Sequence, residues 1–126
     1  MFQTRQFARL ARKLRLPRDR LRECVERLER SEIDATLGRF LVKQRIASGS
    51  KGRAGGHRAI LCFVEGRRTV FLFVFTRADR ATLTQSEENA FREAAKQFAL
   101  VSDDEEAGLI ADGKWIEIEY GDKDLS

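Results

Sequence analysis

Several residue types are scarce: one proline, one histidine, one tyrosine, one tryptophan and two cysteines in 126 residues. Cys24 and Cys62 have neither CxxC spacing nor metal-binding company, and one pair makes no disulfide framework. Both read as buried thiols of a reducing cytoplasm. His57 has no second histidine and no nearby cysteine or carboxylate cluster, so no metal and no other cofactor is expected. No apolar run approaches the roughly 20 residues a bilayer span needs. The opening MFQTRQFARLARK lacks the apolar core and small-residue cleavage site of a secretory signal. No membrane partner is expected. SGSKGRAGGHR (48–58) is glycine-rich, but it matches neither GxxxxGK[ST] nor GxGxxG and leads into a strand, so it builds no phosphate loop. No Ser-His-Asp arrangement is suggested either.

What is abundant is charge, unevenly placed. The net charge is +4, but residues 1–80 hold 20 Lys/Arg against 8 Asp/Glu, and residues 81–126 hold 4 against 12. A basic body with an acidic end points to a polyanionic partner. At 126 residues and 42% hydrophobic composition, a single domain spanning 1–126 is expected.

Phe7, Leu10, Ala11 and Leu14 form one helical stripe, and Leu21, Cys24, Val25 and Leu28 repeat it after Pro17, which suits a first helical turn. FLVKQRI (40–46), HRAILCFVE (57–65) and RTVFLFVF (68–75) read as strands. The last two, joined at Gly66-Arg67, are apolar on both faces and therefore central. Thr84 with Glu87 and Ser102 with Glu105 are capping boxes opening two more helices, the second closed by Gly113. KWIEIEY (114–120) reads as an edge strand. The predicted order is ααβββααβ. The predicted fold class is α+β: an N-terminal helical hairpin on a small, mainly antiparallel twisted sheet, with C-terminal helices and a last strand.

Lys43 and Arg45, two apart on a strand, leave the same face. Lys51, Arg53, His57 and Arg58 follow in the loop and the next strand, and Arg77 and Arg80 end the third. The reading places Arg77 and Arg80 toward the opposite end of the sheet from Arg58. Together these cations suit an extended phosphate backbone. Ordinary solvated charges and a plain hairpin loop remain the alternative.

VKQRI, then GSKGRAGGHRAILCFVEG, then RTVFLFVFTRADRATL resembles the RelE/HigB-type toxins of bacterial toxin–antitoxin modules. The branch it resembles reads LVKKR, GKRGG-aromatic-R and FLFGFAKNERDNI. The similarity extends to the N-terminal helices and to ADGKWIEIEY, with 40–83 the specific part. Thr82, Leu83 and Thr84 stand where many ribosome-dependent relatives carry a tyrosine; the chain's own is Tyr120. The resemblance implies a RelE-like toxin domain that cleaves ribosome-associated mRNA without a metal, by attack of the 2′-hydroxyl on the adjacent phosphate. Its catalytic residues would be Lys43, Arg45, Arg58, Arg77 and Arg80, with Lys43 as general base or phosphate ligand and Arg58 as transition-state clamp. Lys51, Arg53 and His57 would bind RNA. It further implies a helix-turn-helix antitoxin as partner, operator DNA contacted only through that complex, and a monomer when free. Two other functions stay open: a ParE-like toxin that poisons gyrase by binding, and a plain nucleic-acid or ribosome-binding module.

Overall fold

A computed structural model describes residues 1–46 and 56–119. The chain runs β1 (Phe2–Thr4), α1 (Arg5–Lys13), α2 (Arg18–Glu29), β2 (Ala35–Gly38), β3 (Leu41–Ile46) and β4 (His57–Val64). It continues through β5 (Arg68–Thr76), α3 (Gln85–Ala99), α4 (Asp103–Ala111) and β6 (Trp115–Glu117). Among the described residues this is an α+β fold of four helices and a six-stranded sheet, ordered β2-β3-β4-β5-β1-β6. The sheet is mixed, because β1 runs parallel to β5 while the other pairings are antiparallel.

Two strands lie outside the predicted order. β1 precedes the helices, so the helical pair follows a strand instead of opening the chain. β2 adds an edge beside β3. Each is only three or four residues long, too short to show a period of two.

β4 and β5 are central, as their two-sided apolar character requires. On one face the α1 and α2 stripes (Phe7, Ala11, Leu21, Cys24, Val25, Leu28) pack with Val42, Ile46, Ala59, Leu61, Phe71 and Val74. On the other, Leu41, Ile60, Cys62, Val70, Leu72 and Phe75 meet Leu83, Ala95 and Trp115, with Phe73, Phe91 and Phe98 alongside. Alternation along β5 breaks once. Ile60 pairs with Phe73 and Leu61 with Phe71, leaving Leu72 as the extra residue of a bulge. Leu72 and Phe73 therefore both join the α3 side.

The turns follow local chemistry. The β4–β5 hairpin turns at Gly66, φ 74°, with the Arg67 N–H donating to the Val64 carbonyl at 2.9 Å. A positive φ at this third turn position favours glycine. Both capping boxes form, at Thr84/Glu87 and Ser102/Glu105. α2 ends with Ser31 left-handed at φ 65°. There the Ser31 N–H donates to Leu28 at 2.9 Å and the Glu32 N–H to Arg27 at 2.8 Å, a Schellman closure. That closure turns residues 32–34 back toward β3. Among the described residues, no helix is long and apolar enough to cross a membrane.

Candidate functional site

The strand register decides where the basic residues meet. Lys43 pairs with Ile60, Arg45 with Arg58 and Ile46 with His57, while Arg58 also pairs with Phe75 and His57 with Thr76. Lys43, Arg45 and Arg58 alternate with residues of the α2 side, so all three leave the α3 side of the sheet at one end. The end of β5 is at that same end: the Arg77 N–H donates to the Gly56 carbonyl at 3.3 Å. This corrects the expected placement of Arg77 and Arg80 at the opposite end. In an antiparallel meander the first and third strands run the same way, so their ends coincide.

Arg58 is half-buried, and its electrostatic neighbours describe the cluster. Burial lowers its pKa, and the Arg77 and Arg45 charges lower it further, against a smaller opposing effect of Asp34. A guanidinium remains charged at neutral pH even so. Among the described residues, no carboxylate lies within 4 Å of the Lys43, Arg45, Arg58 or Arg77 side chains. Among the described residues these four cations thus share one end of the sheet with no side-chain ion pair, and Asp34 is the acidic charge felt at Arg58.

The backbone beneath them is firmly held. Gln44, fully buried, accepts from the Asp34 N–H at 2.9 Å and donates to the Glu32 carbonyl at 2.9 Å. Asp34 in turn accepts from the Arg45 N–H at 2.7 Å and from Arg27 at 2.9 Å. Partial burial pushes the Asp34 carboxyl up, but the Arg45 N–H and the Arg27 guanidinium outweigh it and hold the group below its ordinary value. Gln44, Asp34 and Arg27 went unread in the sequence. Their partners lie 7 to 12 residues away across a turn, where no short motif reports them.

Residues 1–118 match a protein family described as the RelE toxin of the RelE/RelB toxin–antitoxin system. The chain belongs to the RelE toxin family. It is therefore of a family of toxins that work in modules with an antitoxin partner. No curated protein matches it.

In this RelE-family chain the remaining predicted site residues are not gathered at one point. Arg80 is held by Glu87 and lies over the Phe73 and Phe75 rings, 5.9 and 5.7 Å from their centroids. His57 pairs within the ladder at the same end as Arg58, but its parity directs it to the α1–α2 side. Burial lowers its pKa, and its buried Nδ1 has no hydrogen-bond partner among the described residues. Lys51, Arg53 and Tyr120 lie outside the described residues. The sequence also missed Glu87 as a partner of Arg80, because its capping-box role already accounted for it.

Proposed function

We propose that this RelE-family toxin is an mRNA endoribonuclease that acts on ribosome-associated message and uses cationic side chains in place of a metal. The observation that carries the reading is the set Lys43, Arg45 and Arg58 on one face at one end of the sheet, with Arg77 at the same end, none of them in a side-chain ion pair among the described residues. Clustered cations that make no side-chain ion pair among the described residues suit a phosphate whose charge grows during reaction. In the proposed step the 2′-oxygen attacks the adjacent phosphorus, and Lys43 is the base that takes the hydroxyl proton. The bond to the 5′-oxygen breaks, that oxygen takes a proton from water as it leaves, and a 2′,3′-cyclic phosphate and a 5′-hydroxyl result. Arg58 clamps the non-bridging oxygens as charge accumulates there, and Arg45 and Arg77 hold the flanking backbone. Lys51 and Arg53 belong to the RNA-binding set and Arg80 to the catalytic one, while His57, directed to the other face, is set apart from them. A helix-turn-helix antitoxin would silence the toxin in the cytoplasm and carry the complex to operator DNA, and the free toxin would be a monomer in a single domain.

The test is controlled expression followed by primer-extension mapping of RNA 5′ ends. The wild type should give codon-associated cuts. Arg58→Ala should lose about 100-fold or more of the cleavage rate, the scale seen when a transition-state donor is removed. Lys43→Ala should lose a comparable amount. Growth arrest with intact RNA and induction of DNA-damage repair would overturn the nuclease and favour a gyrase-directed toxin.

A further inference from the structure

Arg80 differs from the other cations on its face. Its Nη1 donates to Glu87 Oε2 at 3.1 Å, its Nη2 contacts Oε1 of the same carboxylate, and its Nε donates to the Thr82 carbonyl at 3.2 Å. The guanidinium lies over Phe75, and Phe75 is the cross-strand partner of Arg58. Arg80 is thus one strand position away from the unpaired cluster, on the same face. Glu87 meanwhile accepts from the Thr84 N–H at 2.8 Å as half of the α3 capping box. A glutamine would serve that box equally well; the helix N-terminus favours a negative charge at Glu87 only modestly, as it does at Glu88, and Arg80 is the specific cation that the Glu87 charge holds.

We infer that Glu87 holds Arg80 in reserve: an RNA phosphate arriving beside Arg58 competes with the Glu87 carboxylate for the guanidinium and draws Arg80 into contact. The inference rests on the nuclease reading and makes Glu87 a positioning residue. The exchange is physically easy. Both side chains are about one-third exposed, 31% for Arg80 and 35% for Glu87, and exposed ion pairs are weak. A phosphate offers the same paired-oxygen geometry as the carboxylate it displaces. The rings of Phe73 and Phe75 support the arginine stem, so the group pivots from a fixed base. Glu87 thereby tunes how tightly the surface grips RNA before the substrate is seated.

The experiment measures affinity for a non-cleavable RNA carrying 2′-deoxyribose at the scissile position, by fluorescence anisotropy at low salt. Glu87→Gln keeps the capping contact and removes the charge, and should bind about three- to tenfold tighter than wild type, the range of one added charged contact. Glu88→Gln removes the same charge one residue on, from a pair with Arg92, and should change affinity less than about twofold. In an Arg80→Ala background, Glu87→Gln should give no gain. Thermal melts confirm that each variant is folded. Equal effects of Glu87→Gln and Glu88→Gln, or a gain that survives without Arg80, would overturn this inference alone. A folded wild type that binds no RNA would overturn this inference, whereas the nuclease reading stands or falls on the mapping of RNA 5′ ends.

Discussion

Arg45 and Arg58 are direct partners across β3 and β4, so two cationic side chains rise from opposed positions on the same face of the sheet. Like charges directly opposite each other destabilise a sheet. Their coexistence here is a cost to the fold that a bound anion removes.

Arg45→Gln should therefore stabilise the free protein slightly, by about 0.5 kcal/mol at low salt. The same change should weaken RNA binding. Calorimetry at low and high salt checks the first effect, which should shrink as salt screens the repulsion. Added inorganic phosphate should raise the melting temperature of the wild type more than that of the variant.

Gln44 makes the opposite prediction. Replacing it with leucine keeps the bulk but leaves the Asp34 N–H and the Glu32 carbonyl without their partner. Two such groups cost about 3 kcal/mol together. Urea denaturation should show a lower midpoint with an unchanged slope. The variant should also lose RNA cleavage, since residues 32–34 secure the Arg45 backbone.

His57 sets a pH dependence. Burial lowers its folded pKa below the ordinary 6.5, so the unfolded chain takes up the proton more readily than the folded one. Its contribution to stability is then complete above about pH 6.5 and is lost as pH falls from there through the lower folded value. Urea melts between pH 7.5 and 5.5 should show this slope, and His57→Gln should flatten it. As the single histidine, it gives isolated imidazole resonances in proton NMR, and their midpoint should lie below 6.5.

Arg68 supports the far end of the sheet. Its side chain is 1% exposed, donates to Glu106 at 2.8 Å and to the Phe98 carbonyl at 3.1 Å, and lies over Trp115. Arg68→Ala removes a buried, hydrogen-bonded side chain, leaves the partly exposed Glu106 without that partner and should cost about 1–3 kcal/mol. The fluorescence of Trp115, the single tryptophan, should report the loss. RNA affinity of the folded variant should be unchanged.

What the sequence made legible was local. Thr84 with Glu87 and Ser102 with Glu105 announced α3 and α4 because a capping box closes within four residues. The stripes of α1 and α2 were legible because helical neighbours are three and four apart. β1 was not, since Phe2–Thr4 becomes a strand only through β5 and β6, far along the chain. The Leu72 bulge was hidden because Leu72 and Phe73 are both apolar, so a slip of one residue left no polar mark. In the site, Lys43, Arg45 and Arg58 were chosen from strand parity and resemblance. Arg77 was legible as a cation after β5, but not its end of the sheet, which follows from β3 and β5 running the same way on either side of β4. The grip of Gln44 on residues 32–34 needed three dimensions.

The position of β1 also governs the order of assembly. Phe2–Thr4 lies between β5 and β6, so residues made first during synthesis must wait for Val70–Phe71 and Trp115–Glu117 before either seam can close. Both seams join distant parts of the chain, the slow kind of contact in folding. β2 to β5, each joined to its sheet neighbour by a connection of ten residues or fewer, can form before them. A nascent chain that stops short of Trp115 would leave β1 with one bare edge, and sheet closure would be among the last steps to maturity.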